Sequence, residues 1–381
     1  MITLIKNAEI YAPKYLGKKD ILIANEKIVA IEDNLDEFSK LSFVWDAQGK
    51  ITTPGLIDQH IHVIGAGGNN GYASMTPEVT LSELIACGST TVVGLLGTDG
   101  TARNIRTLYS KVKSLEQEGI TAYMFCGYYG VDTVTITDSI QGDMICIDKV
   151  LGCKIAISDI RSSYPTATEL LRKLRDVRVG GSIANKKGIL HVHLGNLDSK
   201  MDLLFELVEK YHFPIEHISP THVGRTQALF EQSIEFAKLG GSIDITTGAS
   251  KYTDPYKMVV YALEKGVNIE NITFSTDGHA GLTKFDENNN KIGFKKAPIH
   301  QNLSEVVQLI KKAGFTIEDA FKLITTNPAQ NLGLKTKGKI EVGFDGDLCF
   351  FNSDFVLQDV FARGKQMMRE TKIISKGSFE L

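Results

Sequence analysis

The chain has 381 residues, 43% of them hydrophobic and 23% charged, and a formal net charge of -3. This composition is typical of a folded globular protein, and the weakly acidic balance argues against a surface that attracts nucleic acid. We therefore expect a small-molecule or dipeptide substrate as the binding partner, with no nucleic acid involved.

Residues 1–7 contain neither a basic stretch ahead of a long apolar one nor a small-residue cleavage site. No apolar run in the sequence approaches the roughly 20 residues that a membrane-spanning helix needs. The five cysteines lack CxxC spacing, which is typical of buried thiols in a reducing compartment. We expect a cytoplasmic protein that does not contact a membrane.

The two ends of the chain carry the first and last predicted strands. These short segments, separated by glycine and aspartate turns, lie at residues 2–5, 20–23, 27–31, 347–351 and 356–363. Neither end has enough apolar residues for a core of its own, so the strands of both ends need to pack together. We predict that residues 1–53 and 331–381 form one small β-sandwich domain.

Between the ends, strand-like apolar segments alternate with helical patterns, which predicts repeated βα units and a parallel sheet. The predicted strands lie at residues 55–64, 90–98, 120–129, 150–157, 189–195, 215–223, 241–247 and 271–277. Predicted helices between them lie at residues 77–87, 103–118, 167–177, 200–211, 226–239 and 256–265. About eight strands close a (β/α)8 barrel, so we predict a TIM-like catalytic barrel over residues 54–330, with a doubly wound open sheet as the alternative.

The first barrel strand contains the sequence PGLIDQHIH at residues 54–62, which places two histidines at i and i+2. Because side chains alternate along a strand, His60 and His62 project to one face together with Asp58. Two neutral imidazoles on one face can ligate a metal ion. This segment therefore predicts a metal site at the start of the barrel.

Further ligand-type residues lie in or after later barrel strands, where barrel enzymes place their active sites. Lys154 is a lone cation inside an apolar strand, and its burial is costly unless it is paired or chemically altered. The fifth strand supplies His193, the sixth ends near His222 and the eighth ends in Asp277. We expect His191, one layer deeper than His193, to be a packed core histidine. Of the remaining histidines, we expect His279 to come closest to substrate.

Taken in chain order, these features resemble the metal-dependent amidohydrolase superfamily over nearly the whole chain. The resemblance extends to TTNPA at residues 325–329 and GFDGDL at residues 343–348. It implies two divalent metal ions, expected to be Zn²⁺, held by six side chains: His60, His62, Lys154, His193, His222 and Asp277. Lys154 would bridge the ions as N6-carboxylysine. A metal-bridging hydroxide would attack the substrate carbonyl, and Asp277 would transfer its proton to the leaving amine.

Within the superfamily, four stretches resemble the isoaspartyl (β-aspartyl) dipeptidases: residues 93–99, 156–162, 220–225 and 243–246. This resemblance implies hydrolysis of the amide between an aspartate side chain and the next residue. It assigns Arg161 and Arg225 to substrate carboxylates, Tyr129 to the scissile carbonyl, and Thr98 to a further substrate contact. Relatives of this kind also imply a homo-oligomer.

Two positions depart from the dipeptidase pattern at the end of the site that would receive the substrate's ammonium group. Asn69 stands where a glutamate is expected, and Gly281 stands where a serine is expected. These departures keep open a cyclic-amide hydrolase, similar to dihydroorotase or hydantoinase, which needs no ammonium site. A third possibility is a protein without catalytic activity that uses the barrel as an interaction scaffold, although the complete set of predicted metal ligands argues against it.

Overall fold

The first five strands come from the N-terminal end of the chain. The computed structural model describes residues 2–249, 251–288 and 290–380. In it these strands are β1 (Ile2–Tyr11), β2 (Tyr15–Ala24), β3 (Lys27–Glu32), β4 (Phe43–Asp46) and β5 (Ile51–Pro54). The long strand β1 pairs antiparallel with β2 and parallel with both β4 and β5, so it organises this end of the chain.

A single residue, Gly55, separates β5 from the first barrel strand. Its backbone N–H donates to the carbonyl of Asp347 at 2.8 Å. A β-carbon at this position would lie 2.1 Å from Oγ1 of Thr90, so no larger residue fits without displacing the neighbouring strand. The chain therefore passes from the terminal strands into the barrel through a fixed, closely packed junction.

The barrel consists of eight parallel strands in the described part of the chain. They are β6 (Leu56–Ile61), β7 (Ser89–Gly94), β8 (Thr121–Gly127), β9 (Val150–Ile157), β10 (Ile189–Leu194), β11 (Ile218–Thr221), β12 (Ile243–Thr246) and β13 (Ile272–Ser275). They pair in sequence order. The sheet closes on itself where the N–H of His62 donates to Gly278 and the N–H of Asp277 donates to His60. The predicted (β/α)8 barrel is confirmed, and the open-sheet alternative is wrong.

Ten α-helices accompany the strands within the described residues. They are α1 (Leu81–Ala86), α2 (Ile105–Glu118), α3 (Ile140–Cys146), α4 (Ala167–Ile183), α5 (Asp202–Phe205), α6 (Gln227–Lys238), α7 (Pro255–Glu264), α8 (Gln301–Ala313), α9 (Ile317–Lys322) and α10 (Thr326–Leu332). Side chains that accept a hydrogen bond from the first turn fix where several of them begin, as Asn104 does for α2 and Thr226 for α6. None of the helices described is both long and apolar enough to cross a bilayer.

Several elements were absent from the prediction. The helices α3, α8, α9 and α10 were missed, although the apolar residues Leu303, Val306 and Ile310 of α8 follow a helical period. A hairpin of β14 (Gly281–Phe285) and β15 (Lys291–Lys296) was missed as well. This hairpin leaves the barrel directly after β13, next to the candidate site described below.

The C-terminal strands return to the strands of the N-terminal end. They are β16 (Leu348–Phe351), β17 (Leu357–Ala362), β18 (Lys365–Arg369) and β19 (Lys372–Ile373). Strand β16 pairs antiparallel with β5, which joins both chain ends in one sheet. The Trp45 ring contacts Phe350 and Phe361 across this junction, with centroids 4.7 and 5.2 Å apart. Both ends thus share one core, while the exact division at residues 53 and 331 stays a prediction.

Candidate metal centre

Four of the predicted ligand residues meet at the carboxyl end of the barrel. The Oδ1 atom of Asp277 lies 3.3 Å from Nε2 of His60 and 3.1 Å from Nε2 of His62. The Lys154 Nζ atom lies 3.5 Å from the same His60 nitrogen, and its side chain is buried. Strands β6 and β9 and the end of β13 therefore bring these side chains into one cluster.

The other two predicted ligands complete the cluster. The His222 ring lies 4.8 Å from the His60 ring and 4.6 Å from the His193 ring, measured between centroids. Both His193 and His222 are buried, the first on β10 and the second directly after β11. All six predicted ligand residues thus lie in one buried region.

Each of the four histidines uses one ring nitrogen for a hydrogen bond within the protein. The pairs are His60 Nδ1 with His191 Nε2 (2.8 Å), His62 Nδ1 with Leu95 O (3.2 Å), His193 Nε2 with Asp159 Oδ2 (2.9 Å) and His222 Nδ1 with Thr246 Oγ1 (2.6 Å). Histidines that bind metal ions generally hold their second nitrogen in this way. The four rings therefore have fixed orientations. Their second nitrogens point into the cluster, and that of His193, Nδ1, lies 2.8 Å from the Tyr129 hydroxyl.

The electrostatics of the cluster suit metal binding. Burial lowers the pKa of each of the four imidazoles, that of His60 to about 3, which keeps them in the neutral form that ligates a metal. Burial alone would raise the pKa of Asp277, but the surrounding imidazoles, His222 first among them, hold that pKa well below its usual range. Neutral rings thus surround an ionised carboxylate.

Lys154 differs chemically from an ordinary lysine. Burial is the main cause that lowers its pKa to about 7; Asp277 opposes the shift, and the guanidinium groups of Arg161 and Arg225 contribute to it. A substantial fraction of the side chain is therefore an uncharged amine near neutral pH. An uncharged amine can add carbon dioxide to form a carbamate, whereas an ammonium ion cannot. Lys154, which the sequence shows as a lone cation inside an apolar strand, thus lies in an environment that permits its carboxylation.

Two of these residues adopt strained backbone conformations that the sequence did not reveal. His222 has φ of 64° and Asp277 has φ of 52°, both in the left-handed region that non-glycine residues rarely occupy. Such conformations persist when the surrounding structure enforces them, and they cluster at functional sites. Here the turn at the end of each strand directs the side chain back toward the barrel axis. Histidine and aspartate are among the non-glycine residues that enter this region more often than others, but the residue type alone does not locate the turn.

A cavity of about 110 Å³ opens next to the cluster. Its lining includes every residue assigned to the substrate from the sequence, together with two of the proposed ligands: Asn69, Thr98, Tyr129, Arg161, Arg225, Gly281, His62 and Asp277. The structure therefore brings the predicted substrate residues and the ligand cluster together in one site, although they come from loops that follow different strands.

The two arginines that line the cavity differ in their hydrogen-bond partners. Arg161 donates from Nε and Nη2 to both carboxylate oxygens of Asp159, at 2.8 and 2.5 Å. Asp159 also holds His193, so it connects the substrate side of the site with the ligand cluster; sequence reasoning missed this role. Arg225 has a buried Nε without a hydrogen-bond partner among the described residues. This Nε donor is well suited to bind an anionic group of a ligand.

Three other side chains clarify the site. The Tyr129 hydroxyl lies 2.8 Å from Nδ1 of His193, and burial raises the pKa of Tyr129, so the phenol stays protonated and can donate. His191 is a buried core residue, as expected, and stacks on Phe125 at 4.8 Å. His279 does not line the cavity, and its Nδ1 lies 2.9 Å from the Pro77 carbonyl, so its approach to substrate stays a prediction.

The residues present fit divalent metal ions. The ligand atoms of His60, His62 and Asp277 lie within 4.8 Å of one another, close enough to converge on a single ion. Neutral imidazoles with a carboxylate are ligands that Zn²⁺ accepts readily, and His193 and His222 offer two more beside them. The donor set is that of an oxygen- and nitrogen-ligated centre.

Comparison with known proteins decides the family. The model of the amidohydrolase family matches residues 51–367. The chain belongs to this family. Among solved structures, the β-aspartyl dipeptidase of Fervidobacterium islandicum AW-1 in complex with β-Asp-Leu is 40% identical to this amidohydrolase, with a TM-score of 0.90 and 98% of both chains covered.

More distant relatives of this amidohydrolase act on other compounds. An adenine deaminase of Clostridium perfringens is 23% identical over 99% of the chain, which spans 61% of the length of that deaminase. A dihydroorotase of Ligilactobacillus salivarius is 22% identical over 94% of this chain and 91% of its own. A D-hydantoinase structure shares the fold, with 18% identity, a TM-score of 0.68, and 100% and 98% of the two chains covered.

Proposed function

We propose that this amidohydrolase is a binuclear metal-dependent hydrolase of isoaspartyl dipeptides. The observation that carries the proposal is the cavity that places Arg161 and Arg225 directly beside the buried ligand cluster. The similarity to a dipeptidase solved with β-Asp-Leu supports the choice of substrate. A site of this composition would hold a small acidic amide with its carbonyl toward the metals.

The metal ions would be held by side chains already oriented for them. His60, His62 and Asp277 would bind one ion, and His193 and His222 would bind the second. Bound divalent ions would supply activation of water and polarisation of the amide carbonyl. Zn²⁺ is the expected metal, because it accepts both nitrogen and oxygen ligands in this kind of site.

Lys154 would connect the two halves of the centre as N6-carboxylysine. Its lowered pKa supplies the uncharged amine that reacts with carbon dioxide, and the product is an anion with two oxygen ligands. Carboxylation would also replace a buried cation that faces Arg161 and Arg225 by a negative group that those arginines stabilise. The modification therefore removes the electrostatic conflict in the cluster.

The remaining residues would bind and orient the substrate. Arg225, whose buried Nε has no hydrogen-bond partner among the described residues, would bind a substrate carboxylate, with Arg161 held beside it by Asp159. Tyr129 would donate its hydroxyl to the scissile carbonyl, and donors of this kind stabilise negative charge that develops there. Asp277 would accept a proton at its carboxylate and pass it to the leaving amine.

Hydrolysis of β-Asp-Leu tests the function directly. Zinc-loaded protein is expected to release leucine from β-Asp-Leu and not from the α-linked isomer, because the arginines fix the carboxylates of the isoaspartyl form. Treatment with a chelator should remove the activity, and added Zn²⁺ should restore it. Zinc binding without cleavage of any amide would instead favour a catalytically silent scaffold, and a protein that binds no metal would refute the proposal.

A variant of Arg225 provides the matching control for substrate binding. Arg225→Lys keeps the charge but loses the planar fork, so kcat/KM for β-Asp-Leu should fall about 10- to 100-fold, equivalent to about 1.5–3 kcal/mol. The control Arg106→Lys changes an exposed arginine on α2 and should leave kcat/KM unchanged. An Arg225→Lys enzyme with unchanged kcat/KM would remove the carboxylate role of this residue.

A second prediction concerns Asp159, which holds His193. Asp159→Asn should weaken zinc binding by about 10- to 100-fold, because residues that orient a metal-binding histidine typically contribute that much to affinity. Competition with a chromophoric chelator measures this affinity. Arg161→Gln is the control, since it removes the guanidinium but leaves the contact between Asp159 and His193. Equal zinc affinity in the Asp159→Asn variant and the unchanged protein would exclude the orienting role.

A second candidate function is hydrolysis of a cyclic amide. Asp277 is the one carboxylate among the described residues that line the cavity, so the site lacks a separate acidic partner for an ammonium group. The similarity to a dihydroorotase is in keeping with such a substrate. Opening of a cyclic amide at a higher kcat/KM than cleavage of β-Asp-Leu would favour this candidate.

We further propose that the protein is a cytoplasmic homo-oligomer. Cell fractionation tests the location, and light scattering tests the number of subunits.

A further inference from the structure

The cavity has a strongly uneven distribution of charge. Two guanidinium groups, from Arg161 and Arg225, face it, whereas the carboxylate of Asp277 is already engaged with two imidazoles of the ligand cluster. Because Arg161 is already paired with Asp159, a substrate ammonium group would meet the guanidinium of Arg225, with no separate acidic side chain among the described lining residues to receive it. This distribution favours a ligand whose nitrogen carries no charge.

The side chain of Asn69 supports the same conclusion through hydrogen-bond chemistry. Its Oδ1 atom accepts the hydroxyl hydrogen of Thr98 at 3.0 Å. The Nδ2 donor has no hydrogen-bond partner among the described residues, whereas Oδ1 already accepts one hydrogen bond and carries no negative charge with which to pair an ammonium group. A carbonyl oxygen would complement Asn69 at this point, so the geometry suits an acyl group.

The neighbouring wall is closely packed at Gly281. Gly281 packs so closely against the loop after β6 that a β-carbon there would lie 3.0 Å from Cα of Gly67. Ala66, Ala280 and Leu282 complete this side of the cavity with apolar surface. The wall around Asn69 is therefore small and apolar, which suits an acyl chain better than a hydrated ammonium group.

We propose that the site takes isoaspartyl amides whose α-nitrogen is acylated and therefore uncharged. This inference rests on the proposed hydrolysis of isoaspartyl amides and specifies the substrate class. The proposed substrate differs from β-Asp-Leu, the ligand bound by the Fervidobacterium islandicum relative, because the α-nitrogen of β-Asp-Leu is free. Asn69 becomes a specificity-determining residue, which would donate from Nδ2 to the acyl carbonyl.

The test compares matched pairs of ligands on zinc-loaded protein. The kcat/KM for N-acetyl-β-Asp-Leu should exceed that for β-Asp-Leu by about 10-fold or more, as the loss of an unfavourable charged group would give. Calorimetry should show N-acetylaspartate binding more tightly than aspartate. A ratio at or below one in both measurements overturns the inference.

The two measurements separate this inference from the proposed function. If neither dipeptide is cleaved but N-acetylaspartate binds more tightly than aspartate, isoaspartyl hydrolysis is wrong and the assignment of the amino end stands. If both dipeptides are cleaved and the free amine is favoured in cleavage and in binding, the proposed function stands and the inference fails.

Two variants of adjacent residues identify the residue responsible. Asn69→Glu should place an acceptor for ammonium in the cavity and reverse the preference toward β-Asp-Leu and aspartate. Asn70→Glu adds the same charge one residue later, where the side chain faces Lys291 at 3.1 Å instead of the cavity, and should leave the preference unchanged. Equal shifts in both variants would show a general effect of charge and remove the assignment to Asn69.

Discussion

Replacement of Lys154 by alanine is expected to reduce the hydrolysis of β-Asp-Leu to background. The side chain is buried on β9 with its Nζ 3.5 Å from Nε2 of His60, so its loss removes the group that is proposed to bridge the two ions. Zinc analysis should show less metal per chain in this variant. Hydrolysis assays after dialysis against Zn²⁺ measure the loss.

A short carboxylic acid should partly restore the Lys154→Ala enzyme, because the vacated space can admit a carboxylate in place of a carbamate. Lys173→Ala is the matched control: Lys173 is also buried, but its ammonium bonds the carbonyl of Val131, outside the site. That variant should lose stability and keep its kcat. Full activity of Lys154→Ala without any added acid would rule out the bridge.

Asp277→Asn is expected to lower kcat by about 10²- to 10⁴-fold, the usual contribution of a general acid and base. Asparagine preserves the shape of the side chain and tolerates the left-handed backbone found at this position, with φ of 52°. It cannot carry a proton between water and the leaving amine. Steady-state hydrolysis of β-Asp-Leu would reveal the loss as a fall in kcat.

Metal analysis distinguishes the two ways in which Asp277→Asn could act. If zinc content stays near that of the unchanged protein while kcat falls, the carboxylate transfers protons. If zinc is lost in parallel with activity, its role is confined to binding the metal. Asp286→Asn, on the exposed tip of the β14–β15 hairpin, should change neither quantity. An Asp277→Asn enzyme with normal kcat would contradict both roles.

The barrel could be predicted because each strand leaves a strong local pattern. Strands such as β6, β9 and β10 are buried along their whole length, and in the sequence β9 is a short run of mainly apolar residues while β10 alternates apolar residues with two histidines. The histidine pair of β6 was visible for the same reason, since alternation fixes which side chains share a face. The family resemblance then supplied the remaining ligand candidates, whose roles stay predictions.

Other features depend on contacts that no local pattern encodes. Asp159, in the loop after β9, bonds His193 on the neighbouring strand β10, a contact between residues 34 positions apart. The left-handed backbone of His222 and Asp277 likewise depends on the surrounding structure. The pairing of His279 with the Pro77 carbonyl likewise requires the loops to be in place. Helix α8 is a different case, because its apolar period was readable and was overlooked.

The junction at Gly55 links the accessory sheet to the catalytic barrel. β5 hydrogen-bonds β16, and one residue later the chain enters β6, which carries His60. Any slip of β5 against β16 would translate along the backbone into a displacement of the first metal-ligand strand. Pairing between the strands of the two chain ends thus fixes the position of His60 along its strand. Removal of these strands would loosen the geometry of the centre and expose apolar surface.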